Sequence, residues 1–220
     1  MGIFTVFSGS SFGLSDLKRE LLGMLGRKEE ALQTAWREFV ESPSGFSYEE
    51  LMKYIPKKDK ELWYRRAVRA AQKEPLDSGT IDFFVMTKEL EILSKCILCA
   101  GNDELEELGY YAVKDAVEEL SKNHWAATAK IYRILAMGIL NNGRSKYYKY
   151  ALNNFKRAKE LYQKANLEKE WLSIVDVVRK NHFQKHGFME GFEDIVAGRH
   201  PEREPSFLEI ARNRWKKQIS

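Results

Sequence analysis

An all-α fold of antiparallel helix hairpins is what this sequence predicts, and three observations predict it. Apolar residues recur at helical spacing in segment after segment. No stretch alternates with period two for long enough to build a sheet. Five Pro and 14 Gly in 220 residues are few enough to leave long helices uninterrupted.

The elements follow in order. Ser15 is placed to cap a first helix carrying Leu17, Leu21, Leu22, Met24 and Leu25. Residues 1–14 then read as an irregular N-terminal segment. Gly23 and Gly26 weaken the helix end, each by about 1 kcal/mol against Ala. Arg27 to Val40 makes a second helix, with Ala31, Leu32, Ala35, Trp36 and Phe39 on one stripe. A loop at 42–45 follows, and Ser47 with Glu50 has capping-box spacing for a short helix that Pro56 stops. Lys57 to Lys73 turns Leu62, Trp63, Ala67, Ala70 and Ala71 inward. Thr80 or Asp82 caps one long helix running from Phe83 to Leu98. Leu105 to Lys122 and His124 to Leu140 come next, the second stopped by Asn141-Asn142-Gly143. Tyr147 to Ala165, Leu167 to Phe183 and Phe188 to Val196 complete the main set, and Phe207 to Ile219 forms a last charged helix.

Short helix–helix connections favour antiparallel neighbours. The expectation is one helical-repeat domain over 15–200, its hairpins stacked as a tetratricopeptide-like α-solenoid or right-handed superhelix, with a C-terminal charged helix over 201–220. One motif supports the stacking. Ala151, Phe155 and Ala158 have the Ala-x3-Phe-x2-Ala spacing of the second helix of a tetratricopeptide repeat. The small residues allow close helix approach, and the ring fills the gap. The first-helix half of that signature is absent.

Composition excludes several classes. Residues AVILMFWYC make up 44% and DEKR 31%, which fits neither a disordered tail nor a membrane protein. The most apolar run, Ile134 to Leu140, is far shorter than the roughly 20 residues a bilayer span needs. The first residues lack the basic region of a signal peptide. Two Cys cannot build a disulfide framework, so a reducing, cytoplasmic setting is expected. The net charge of +4 is uneven: an acidic middle precedes a basic C-terminal third. Such asymmetry pairs neighbouring helices or steers an acidic partner.

The stretch from about Tyr110 to Glu193 resembles a known family. The pieces that carry the resemblance are Asn123-His124-Trp125-Ala126-Ala127-Thr128, then Arg144-Ser145-Lys146 with Tyr148 and Ala151, then Val178-Arg179-Lys180-Asn181-His182 with Lys185 and Phe188. Tyr54-Ile55-Pro56 with Trp63 and Ala67 adds a weaker piece. They resemble an uncharacterised bacterial helical family, a domain of unknown function sometimes found beside SWIM-type zinc fingers. The resemblance implies a tetratricopeptide-like fold and no activity. A SWIM finger needs a CxC and a CxH pair, and this chain has only Cys96 and Cys99. Arg144, Tyr148, Ala151, Phe155 and Ala158 read as a corner that fixes how two helices meet. In it Arg144 bonds the last carbonyls of the preceding helix and the Tyr148 ring packs on that helix.

Candidate chemistry is sparse. Cys96 and Cys99 match C-x-x-C, but their place in an apolar helix reads as two small core residues. His182 and His186 share a helical face at i, i+4, with Glu190 and Glu193 beyond. Without an H-E-x-x-H pattern they read as a solvated face or a cap, and no metal or cofactor is expected. From Arg144 to Lys159 there are six Lys or Arg and no acid. Arg144, Lys146, Lys149, Lys156 and Arg157, extended by Arg179, Lys180 and Lys185, form a candidate basic patch. Tyr148, Phe155 and Tyr162 recur every seven residues and belong to the core. No nucleophile elbow, phosphate-binding glycine loop or dinucleotide motif is present.

The sequence therefore predicts a non-enzymatic helical-repeat module that binds a protein or peptide partner. The alternative is a nucleic-acid-associated accessory protein using the basic patch. No membrane partner is expected, and nothing in the sequence sets the oligomeric state.

Overall fold

A computed structural model describes residues 11–199. Among these residues every regular element is helical: α1 (Ser11–Met24), α2 (Lys28–Glu41), α3 (Gly45–Lys53), α4 (Lys60–Ala71), α5 (Ser78–Met86), α6 (Leu90–Cys99), α7 (Asn102–Leu120), α8 (Trp125–Asn141), α9 (Tyr148–Lys164), α10 (Glu168–His182) and α11 (His186–Ala197). Single 3-10 turns, Lys57–Asp59 and Ser145–Tyr147, lead into α4 and α9. The charged helix expected over 207–219 lies outside the described residues.

The chain divides into two compact units, one ending at Ile131 and the other starting at Tyr132. The boundary falls within α8. In the first unit, α2 packs on α1, α3 and α4, and α5 packs on α3, α6 and α7. Its core holds Phe39, Phe83 and Phe84, all essentially without exposure. Phe39, Tyr48 and Phe83 meet edge to face, with ring centroids 5.2 to 6.2 Å apart. Rings in this geometry gain about 0.5–1.5 kcal/mol per pair beyond their burial.

Several boundaries differ from the sequence expectation, each for a local reason. α1 begins at Ser11, so Ser15 lies inside the helix instead of capping it. Ser44 caps α3: its hydroxyl accepts from the Ser47 amide, and Ser47 returns the bond to the Ser44 amide. Ser47 is thus the N3 partner and not the cap, because Gly45 continues the helix one turn earlier. Asp77 caps α5 in the same reciprocal way with Thr80. The long helix expected from Phe83 to Leu98 is two helices, because the chain turns at Thr87–Glu89 with Lys88 at φ 60°. α7 bends at Gly109, whose φ of 67° and ψ of 171° no helix tolerates. Leu62 points outward and is exposed; Ala67, Val68 and Ala71 form the inner face of α4.

In the second unit α9 packs on both α10 and α11. Ala151, Phe155 and Ala158 are completely buried along α9. Phe155 sits among Trp171, Phe188 and Phe192, with centroids at 6.5, 5.9 and 5.1 Å. Gly191 of α11 lets the helices close: a Cβ there would lie 2.7 Å from Leu152 Cδ1.

Helix C-termini are closed by lysines from other elements. Lys130 Nζ donates to the carbonyls of Leu98 and Ala100 at the end of α6. Lys159 Nζ donates to Ile195 and Val196 at the end of α11. Lys185 Nζ donates to Leu140 near the end of α8. Each ammonium meets carbonyls at the negative end of a helix dipole, at Leu140 and Ile195 as a second donor beside the Gly143 and Gly198 amides.

Candidate binding surfaces

α1 turns most of its described apolar side chains outward. Of the five apolar residues that recur at helical spacing along α1 and the residue after it, only Leu22 is buried. Leu17, Leu21, Met24 and Leu25 are 52%, 49%, 82% and 69% exposed. At i, i+4, i+7 and i+8 they form one outward ridge. The inner face carries Arg19, which is 3% exposed and ion-pairs with Glu38 of α2 and, at 3.6 Å, with Glu50 of α3. A cation buried between two carboxylates fixes the rotation of α1, since leaving either charge without its partner is costly. Arg19 precedes Leu22 by three residues, and that spacing was the available signal for its inward placement.

Beside the ridge, a groove of about 320 Å³ is lined in part by Lys18, Arg27, Glu30, Gln33 and Arg37. Glu30 takes two hydrogen bonds from Arg27, at 2.6 and 2.5 Å. No described carboxylate pairs with Lys18 or Arg37, so the groove stays cationic.

The basic patch separates into two sets. Three members have internal work. Arg157 donates to the Tyr132 hydroxyl at 2.8 Å and lies over its ring. Arg179 makes two hydrogen bonds to Glu193, at 2.8 and 2.7 Å. Those bonds are the main reason the Glu193 carboxyl is held below its usual range. Lys185 closes α8. The other five, Arg144, Lys146, Lys149, Lys156 and Lys180, are exposed. Tyr147 and Tyr150, at 38% and 50% exposure, stand among them. Lys146 Nζ is 4.9 Å from the Tyr147 ring centroid, and Lys149 Nζ is 5.0 Å from that of Tyr150.

The helix junction differs from its expected form. Arg144 is exposed. The carbonyls expected to engage it are taken by Lys185, at Leu140, and by Asn142, whose side chain donates to Gly138. Tyr148 packs edge to face on Phe188 of α11, at 5.7 Å. Ala151, Phe155 and Ala158 are in the core.

His182 and His186 do not share a helix face. α10 ends at His182, a turn intervenes, and α11 begins at His186. His186 is exposed. His182 is 8% exposed, and neither ring nitrogen has a hydrogen-bond partner. Burial, and then the Lys185 charge, push its pKa down. Among the described residues no three His, Cys, Asp or Glu side chains converge on a metal-sized site.

The two thiols also leave their expected place. Leu93, Ser94 and Ile97 form the buried face of α6, so Cys96 is half-buried and Cys99, the last helical residue, is exposed. Burial, and then the neighbouring Cys99, raise the Cys96 pKa. No described helix is long and apolar enough to cross a membrane.

A sequence model of a family of unknown function, DUF6880, matches residues 9–190, well over half of the chain, and the chain belongs to that family. No curated protein and no solved structure matches it.

Proposed function

We propose, for this member of that family, a helical protein-interaction module whose docking element is α1. The observation that carries the reading is the outward apolar ridge of this helix. Arg19 is held inside by Glu38 while Leu17, Leu21, Met24 and Leu25 face water. Four such side chains expose a patch on the order of 400–500 Å², the size at which apolar surface marks an interaction site. A helix kept in that orientation by a buried ion pair retains its leucines outside for a purpose other than folding.

The chemistry beside the ridge describes the partner: an amphipathic helix whose apolar face covers the leucines and whose acidic flank reaches Lys18 and Arg37. Buried leucines would supply affinity, and the cations would set orientation and on-rate.

The finer architecture belongs to the same proposal. Stacked hairpins of the tetratricopeptide type are supported by the buried Ala151, Phe155 and Ala158 stripe and by α9 packing on its next and next-but-one neighbours. SWIM-finger chemistry is no part of the reading, since its ligands are absent from this chain.

The test is a pair of substitutions, Leu17→Glu with Leu21→Glu, in the full chain. The reading expects native helicity and melting, with loss of a partner that the wild-type protein captures and that rebinds when purified. Retention of every wild-type partner by the folded variant would refute it.

A further inference from the structure

We propose that the corner made by the 3-10 turn Ser145–Tyr147 and the first turn of α9 is a stacking platform for single-stranded nucleic acid. The inference is independent of the α1 reading and uses a different part of the chain.

Two exposed tyrosines stand side by side there. The Tyr147 and Tyr150 ring centroids are 6.3 Å apart, with the planes inclined at 44°. Neither is among the buried residues of α9, which are Ala151, Phe155, Ala158, Leu161 and Tyr162. Exposed aromatic pairs of this kind accept bases regardless of sequence, because every base has a π-face. Cations surround the rings. Lys146 and Lys149 each lie over a tyrosine, and Arg144 is exposed at the start of the turn. A phosphate drawing either ammonium aside would free a ring face for a base.

The charge arrangement has no evident folding role. The first turn of α9 holds no acid, and no described carboxylate pairs with Arg144, Lys146 or Lys149. Cations at a helix N-terminus oppose its dipole, where Asp or Glu would stabilise it. Four other basic residues of the second unit, Arg157, Arg179, Lys159 and Lys185, hold acceptors within the chain, whereas Lys156 and Lys180 are exposed like the corner residues but lie over no tyrosine ring. The three at the corner are available for phosphates.

Duplex recognition fits less well. It needs an element free to enter a groove or a charged track across several phosphates. Here three cations and two rings fall within seven residues, which suits two or three nucleotides of a splayed strand.

The experiment is fluorescence anisotropy of a labelled 12-nucleotide oligouridylate with the full chain, at 50 and 200 mM salt. The proposal expects saturable binding whose log–log salt slope is about −2, from three phosphate contacts. Tyr150→Ala should weaken binding about five- to hundredfold, and Tyr150→Phe should retain it, since stacking needs the ring and not the hydroxyl. Lys146→Ala with Lys149→Ala should flatten the slope to about −0.7. Circular dichroism on each variant verifies the fold. Absence of saturable binding at 50 mM salt would overturn the proposal. Wild-type affinity in folded Tyr150→Ala, or a 12-base-pair duplex bound as tightly as the single strand, would overturn it too.

Discussion

Lys185 Nζ donates to the Leu140 carbonyl at 2.6 Å, so a cation from the turn between α10 and α11 closes the last turn of α8. The same side chain lies in the candidate basic patch, and its engagement is one reason that patch contracts to its exposed members. Lys185→Met keeps much of the aliphatic stem and removes the donor. It should lower unfolding free energy by about 1 kcal/mol, read as a shift of the urea midpoint at unchanged slope. An unchanged midpoint would show that the contact contributes nothing.

His182 makes stability depend on pH. Its pKa in the folded chain is lowered from the usual 6.5. Below that value the unfolded chain binds a proton more readily than the folded one. The stabilising contribution is therefore complete above about pH 6.5 and falls as acid approaches the folded pKa. His182→Phe removes the titration and leaves no buried nitrogen without a partner. The variant should lose less stability than wild type between pH 7 and pH 5 in parallel urea titrations. Equal losses would place the acid sensitivity elsewhere.

Two glycines should respond with opposite sign. A Cβ on Gly79 would stand 2.6 Å from the Pro43 carbonyl oxygen, a backbone atom with little room to move. Gly79→Ala should cost about 1–3 kcal/mol through overpacking. Gly23 lies inside α1 with nothing within 4 Å of its missing Cβ. Gly23→Ala should gain up to about 1 kcal/mol of helix propensity. Thermal melts of the two variants provide the comparison, and a shared sign would contradict the packing described for Gly79.

The thiols should react at different rates. Cys99 is exposed, whereas burial raises the Cys96 pKa and reduces its thiolate fraction. Titration with a chromogenic disulfide should show one fast and one slow thiol, and Cys99→Ser should remove the fast phase. A fast phase that survives the substitution would reverse the assignment.

The pattern of agreement with the sequence has physical reasons. Period and breakers gave the helical class and most elements, and the buried stripe of Ala151, Phe155 and Ala158 was legible because three positions on one face repeat a packing rule. The orientation of α1 was not legible, because leucine spacing reveals an apolar face without saying which way it points. Arg19 decides that through Glu38 and Glu50, which lie far away in sequence. The split between α5 and α6 was hidden because Lys88 adopts a left-handed turn with no Gly or Pro to announce it. The basic patch was visible as composition. Which of its members were already engaged was not, since the acceptors of Lys185 and Arg179 are 45 and 14 residues away.

The most direct test of the α1 reading is binding of a partner, isolated with the full chain from its native host and then purified, to wild type and to the Leu17→Glu, Leu21→Glu variant. The account predicts saturable binding to wild type and a loss of at least tenfold in a variant with native helicity. Equal affinity for the two proteins would contradict it.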